Sequence, residues 1–384
     1  MTSSCFRHLC RFSVVLAAVV EGVAAGQTSS APATIVFSNT AAPAIPRRSS
    51  IILVIAHGLG YGDLSCYGQT NFQTPNLDKL AAEGIRFTRY TTAETPVASE
   101  ASLMLGVDAA HRPALASLNG DDVTVARILK TAGYHTGLVG EWTLGDERTP
   151  GAPWKKGFDE FAGYLEADPG RSVYADYIYR FAPGAIIATN NTPQDFLGRE
   201  SLYRHNGEVE KRYIPDVLAM IAGNFIRNNV PDPFNRYRPF FLVVHYPVPG
   251  DGKNAAPSDA PFSEEPWKAV EKNRAATISR FDGYIGQLRE QLAKNRLTND
   301  VTIFITSDSP AQGPAAAFFH SNVATNDLRV PMIMYGPLPI PGGRVSDVPW
   351  SGKDFLPTAA GIGFARPPAG SDGTSILPAI SKSR

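Results

Sequence analysis

Residues 49–65, reading S-S-I-I-L-V-I-A-H-G-L-G-Y-G-D-L-S, constrain the fold more than any other part of this chain. Residues 51–56 form an unbroken apolar run rich in β-branched side chains, too short for a buried helix and without a polar face. Such a run marks a central strand of a parallel sheet covered on both sides. It stops at His57-Gly58, and Gly58, Gly60 and Gly62 then turn the chain. In open α/β sheets ligands bind in the crevice beyond the carboxyl ends of the strands. His57 and Gly58 are therefore expected on the floor of a pocket.

The rest of the chain repeats this alternation of short apolar runs and amphipathic stretches. Thr74 as N-cap and Pro75 at the first helical position open a helix with the stripe Leu77, Leu80 and Ala81 and a stop at Gly84. Asp121 or Asp122 is expected to cap a helix through Val125, Ile128 and Leu129. Residues 136–139, 240–246, 301–306 and 329–334 read as strands, and 215–228 as a helix. Residues 266–295 carry Ile278, Phe281, Ile285, Leu288 and Leu292 at helical spacing, a core-facing stripe. A last helix starts at Asp354. Residues 165–212 give weak signals and are read as irregular surface, and 248–262 as a loop at the pocket rim. Strands alternating with helices imply an α/β fold, a mostly parallel central sheet flanked by helices.

Composition bounds the function. The chain has 384 residues, 43% hydrophobic and 19% charged, with zero formal net charge. That suffices for one large globular domain and gives no reason to expect nucleic acid or an anionic membrane surface as partner. Residues 1–25 have the shape of a secretory leader: a basic start (Arg7, His8, Arg11), an apolar stretch over 12–20, and Val23-Ala24-Ala25 at the cleavage position. The apolar stretch falls short of the about 20 residues that a membrane span needs. Export to the periplasm or exterior is expected, with no span once the leader is removed. Residues 26–50 read as a linker and 51–380 as the domain. Of the three cysteines, Cys5 and Cys10 fall in the leader, so the mature chain keeps only Cys66 and has no internal disulfide.

Residues 52–64, I-L-V-I-A-H-G-L-G-Y-G-D-L, resemble the first strand of the sulfatases, in the alkaline phosphatase superfamily. Residues 74–84 (T-P-N-L-D-K-L-A-A-E-G), 157–161 (G-F-D-E-F) and 372–377 (D-G-T-S-I-L) are similar to further motifs of that family, in the same order. The resemblance implies an alkaline-phosphatase-like fold, with the family's small C-terminal subdomain expected to be missing. It also implies where a sulfate-ester hydrolase would keep its chemistry, and there this chain departs. His57 and Gly58 stand where the family holds calcium with two aspartates, and Asp308-Ser309 where it has Asp-Asn. The nucleophile motif C-x-P-x-R falls on Ala98 and Ser102 in one register, or on Pro96 and Glu100 in another. Neither register has a cysteine, so formylglycine cannot be made there from cysteine. The family's G-K-W-H-L-G is Gly140-Glu141-Trp142-Thr143-Leu144-Gly145. Its later histidine falls at Gly250 and its later lysine near His320.

The electrostatic sign of the pocket is thereby changed. Two like charges 4 Å apart repel by about 1 kcal/mol in water and about 4 kcal/mol at an effective dielectric of 20. Glu141, with Glu100, would repel the sulfate that the family's cations attract. The expectation is a pseudoenzyme that acts by binding an unidentified ligand or protein partner, with no cofactor and a degenerate calcium site. The alternative is a hydrolase of sulfate or phosphate esters whose metal site is rebuilt from His57, Asp308 and His320 around zinc or manganese. His111 and His245 are read as structural, His245 because it lies within an apolar strand.

Overall fold

A computed structural model describes residues 48–112, 117–165, 172–186, 193–204, 206–230, 238–247, 256–311, 313–319, 327–337 and 342–382. The expected leader, and the linker up to residue 47, lie outside the described residues, as do Gly250 and His320. In chain order β1 (Ser50–Ala56) is followed by α1 (Pro75–Glu83), β2 (Ile85–Phe87), β3 (Tyr90–Thr91), α2 (Pro96–Leu105), α3 (Val125–Thr131), β4 (His135–Trp142) and β5 (Glu160–Leu165). Then come β6 (Tyr174–Ala175), β7 (Tyr177–Ile186), β8 (Pro193–Ser201), β9 (Arg212–Tyr213), α4 (Ile214–Asn228), β10 (Phe240–Tyr246), α5 (Ala269–Lys294) and β11 (Val301–Ser307). The order closes with α6 (Gly313–Phe319), β12 (Met332–Tyr335), β13 (Arg344–Ser346), β14 (Trp350–Ser351), α7 (Phe355–Ile362) and α8 (Leu377–Lys382).

A ten-stranded sheet runs in the order β13-β2-β12-β11-β1-β10-β4-β5-β7-β8. Its centre, β11-β1-β10-β4-β5, is parallel throughout. β12 and β7 join it antiparallel on either side. β1 is central and buried along its whole length, as its continuous apolar run requires. Ile52, Val54 and Ala56 point into one core with α1, α4 and α5, and Ile51, Leu53 and Ile55 into the other with α2, α3 and α7. Each large aliphatic side chain buried this way is worth about 1.5–3 kcal/mol relative to exposure. The stripe on α5 packs into the first core through Ile278, Phe281, Ile285, Leu288 and Leu292.

Three expectations change. Residues 165–212 are not irregular throughout, because β7 and β8 pair there as an antiparallel arm on the sheet edge. Thr124, not Asp121 or Asp122, caps α3, accepting the Arg127 N–H at 3.2 Å, while Asp122 takes Arg112 through both terminal guanidinium nitrogens. Thr74 holds the N-cap position of α1, but its hydroxyl accepts the Ser65 N–H and reaches Asp78 instead of capping.

Candidate functional site

The carboxyl ends of β1, β10, β11 and β4 meet on one side of the sheet and deliver His57, His245, Asp308 and Glu141 to one place. The sequence dictates this register: β1 pairs Ile55 with His245 on one side and with Thr306 on the other. Gly140 of β4 sits opposite His245 with φ +121°, and a Cβ there would lie 1.9 Å from the His245 carbonyl oxygen. Only glycine allows the two strands this approach.

Asp308 is the hub. Its Oδ2 lies 2.8 Å from His57 Nδ1 and 3.2 Å from His245 Nε2. Its Oδ1 accepts the Ser309 hydroxyl at 2.8 Å and the Gly58 N–H at 3.3 Å. His245 places its other nitrogen, Nδ1, 3.1 Å from the Glu141 carbonyl oxygen. A carbonyl only accepts and an ionised carboxylate only accepts, so both nitrogens of His245 act as donors. Burial opposes that charge. The hydrogen bond and charge of Asp308, with Glu100 and Glu141, outweigh burial and raise the His245 pKa to about 9. For Asp308 burial pushes upward, and the hydrogen bonds from His245 and His57 win and hold it well below the usual carboxylate range. His57 is likewise raised: burial lowers it, and Asp308 and Glu141 more than compensate. The two ends differ in access, with the His57 side chain 38% exposed and those of His245 and Asp308 1%.

The helix α2 brings the third carboxylate. Glu100 is buried, and its Oε2 accepts the Thr143 N–H at 3.0 Å together with the Thr143 hydroxyl. Burial pushes its pKa up to about 7, opposed by the charge of His245 and the hydrogen bonds from Thr143. Ala98 lies in the first turn of α2, where its N–H is capped by Thr95 Oγ1. Ser99 Oγ accepts the Ala93 N–H and donates to the Thr95 carbonyl, closing the same turn. Ser102 lines a cleft of about 250 Å³ with Tyr90, Ser307, Asp108 and Lys353. Cys66 sits elsewhere, after β1, with its N–H on Asp78 Oδ1 at 2.9 Å. Burial, then Asp78, pushes its thiol up to about 12, so it carries no reactive thiolate at neutral pH.

The sulfatase family model matches residues 49–363, more than half of the chain. The chain belongs to the sulfatase family. It is 28% identical to human arylsulfatase A over 379 residues, covering 91% of this chain and 71% of that protein. It is 27% identical to human steryl-sulfatase, covering 87% and 70%, and 26% to the dog N-acetylgalactosamine-6-sulfatase, covering 87% and 66%. Among solved structures, Ps i-CgsB in complex with k-i-k-neocarrahexaose superposes with a TM-score of 0.69 at 26% identity, covering 88% of this chain and 77% of that one. The phosphonate monoester hydrolase of Agrobacterium radiobacter superposes with a TM-score of 0.58 at 18% identity, a likeness of fold, covering 88% and 78%.

Against the sulfatase pattern, the structure joins His57 and Asp308 through hydrogen bonds with His245 and the Glu141 carbonyl, while Glu100 bonds Thr143 and acts on His245 by charge. His245, expected to be structural, bonds Asp308 directly. The missed signal was positional. Along β10, alternation puts His245 on the face of Phe241 and Val243, the α2 side, next to the carboxyl end of a central strand. The donor set does not fit calcium. That ion takes six to eight oxygen ligands, whereas Gly58 offers no side chain, His57 and His245 offer nitrogen, and the Ser309 hydroxyl is given to Asp308.

Proposed function

We propose that this sulfatase-family protein does not hydrolyse sulfate esters by the formylglycine route and acts instead by binding. One observation carries the reading. The helix that would present nucleophile and arginine presents Glu100, buried and 3.0 Å from the Thr143 N–H, in a segment without cysteine. Catalysis of sulfate transfer needs positive groups aimed at the developing charge. Here Glu141 and Thr143 stand at the lysine and histidine of the family pattern, and Glu100 or Ser102 at its arginine. The sulfuric ester activity named for the relatives therefore does not carry over. We also propose export, supported by the basic start, apolar stretch and small-residue cleavage position of residues 1–25. Amino-terminal sequencing of the secreted or periplasmic fraction tests it, with a start near Gly26 expected.

A hydrolase with a rebuilt centre is the second reading, favoured by the convergence of His57, His245 and Asp308. Turnover of 4-nitrophenyl sulfate and 4-nitrophenyl phosphate by the purified chain, and by Asp308→Ala, separates the two. No release of nitrophenol above the blank is expected. Release that disappears in Asp308→Ala would overturn the binding reading and establish the hydrolase.

A further inference from the structure

We propose that His57 Nδ1, His245 Nε2 and Asp308 Oδ2 form a site for one transition-metal dication of the zinc class. This goes beyond the functional reading above, since the ion is bound whether or not any ester is turned over.

The donor atoms lie within 4.8 Å of one another, with Oδ2 at 2.8 and 3.2 Å from the two nitrogens. Bonds of 2.0–2.2 Å to nitrogen and carboxylate oxygen place tetrahedral ligand atoms about 3.3 Å apart. A small outward shift, which the half-exposed His57 can supply, opens that spacing. Two imidazoles and a carboxylate suit zinc and its neighbours, not calcium.

The outer hydrogen bonds leave the right atoms available. The Glu141 carbonyl holds His245 Nδ1, so Nε2 is the nitrogen that points at the site. Ser309 and Gly58 hold Asp308 Oδ1, so Oδ2 is the oxygen turned toward the two histidine nitrogens. Metal-binding histidines and carboxylates are oriented in this way by partners on their far side. Binding forms a bond from the metal to Nε2 and breaks Nε2–H, with that proton leaving to solvent. At His57 the Nδ1 proton leaves or is replaced by one on Nε2. Three protein donors leave a fourth position open toward the solvent side of His57.

The test uses the purified full chain, stripped with a chelator and titrated with zinc and cobalt(II) against a chromophoric competitor at pH 7.5. One zinc per chain is expected, with a raised melting temperature, cobalt absorption of tetrahedral intensity, and no displacement by millimolar calcium. His245→Gln and Asp308→Asn should weaken zinc on the order of 100-fold, at or beyond what loss of an outer hydrogen-bond partner costs. His57→Asn, at a half-exposed position, keeps the test alive if the buried variants fold poorly, and should weaken binding comparably. His111→Ala, whose imidazole pairs with Asp372 on the surface, should change nothing. Absence of stoichiometric zinc and cobalt, or binding unchanged in all three site variants, overturns the proposal. Either result leaves the absence of sulfatase turnover untouched, and turnover by metal-free protein would overturn that reading while leaving this one standing.

Discussion

Asp63 and Asp308 are both buried beside the loop that leaves β1, and they are held in opposite ways. Asp63 meets Arg274 of α5 through Nε at 3.3 Å and through Nη2, and accepts the Gly60 N–H at 2.6 Å. Arg274 also donates to the Gly58 carbonyl at 3.2 Å, so one pair ties loop to helix. A guanidinium stays charged at any accessible pH. Asp308 instead meets two imidazoles whose charge can be given up to solvent. The difference separates a charge pair that fixes a fold from one that can change state.

The sharpest way to break this comparison is to neutralise each carboxylate. Asp63→Asn leaves a buried guanidinium that cannot shed its charge, and should cost about 3–5 kcal/mol in urea denaturation. Asp308→Asn leaves His245, which can release a proton and become neutral, and should cost about 1–3 kcal/mol. Equal losses would mean that the histidine pair is as rigid a structural element as Asp63–Arg274.

Glu100 sharpens the contrast through pH. Its folded pKa is raised to about 7 from an ordinary 4.5, so between those values the folded state binds more protons than the unfolded. The sign follows from linkage: its contribution is full below about pH 4.5 and stability falls as the pH rises toward 7. Glu100→Gln keeps an acceptor for Thr143 and removes the titration. It should therefore gain on the order of 1–3 kcal/mol relative to wild type on going from pH 5 to pH 8. Denaturation midpoints at the two pH values check it; parallel profiles would show that burial does not govern this carboxyl.

The same division decides what could be read from the sequence. β1 carries a continuous apolar run, and β10 and β11 are mostly apolar, broken by His245 and by Thr302 and Thr306, so their burial and parallel pairing were legible, as was the stripe of α5. The β7–β8 arm was not. It lies at the sheet edge, where the Arg180–Glu200 pair and exposed Leu197 replace the apolar alternation of a half-buried strand. His57 was legible because it follows an apolar run directly, and Asp308 because Asp308-Ser309 matches the family's Asp-Asn pair at the end of a strand. His245 was hidden inside its run, and only the pleat of the assembled sheet shows which face it serves. The choice between Glu100 and Ser102 was open because the nucleophile motif matches in two registers, two residues apart, which on a helix point to different sides. Only the placed helix shows that Glu100 reaches Thr143 and Ser102 lines the cleft.

The smallest effect is expected at His57, and it tests the boundary between the two kinds of pair. Its side chain is 38% exposed, so solvent screens its bond to Asp308, and His57→Asn should cost less than about 1 kcal/mol at physiological salt. Its folded pKa is raised above the ordinary 6.5, burial being outweighed by Asp308. The contribution is therefore full below about pH 6 and fades as the pH climbs through the raised value. Stability curves of wild type and His57→Asn should accordingly converge on the alkaline side. A gap that stays constant from pH 5.5 to pH 9 would mean that His57 contributes by shape alone, and Asp308 would then owe its low pKa to His245.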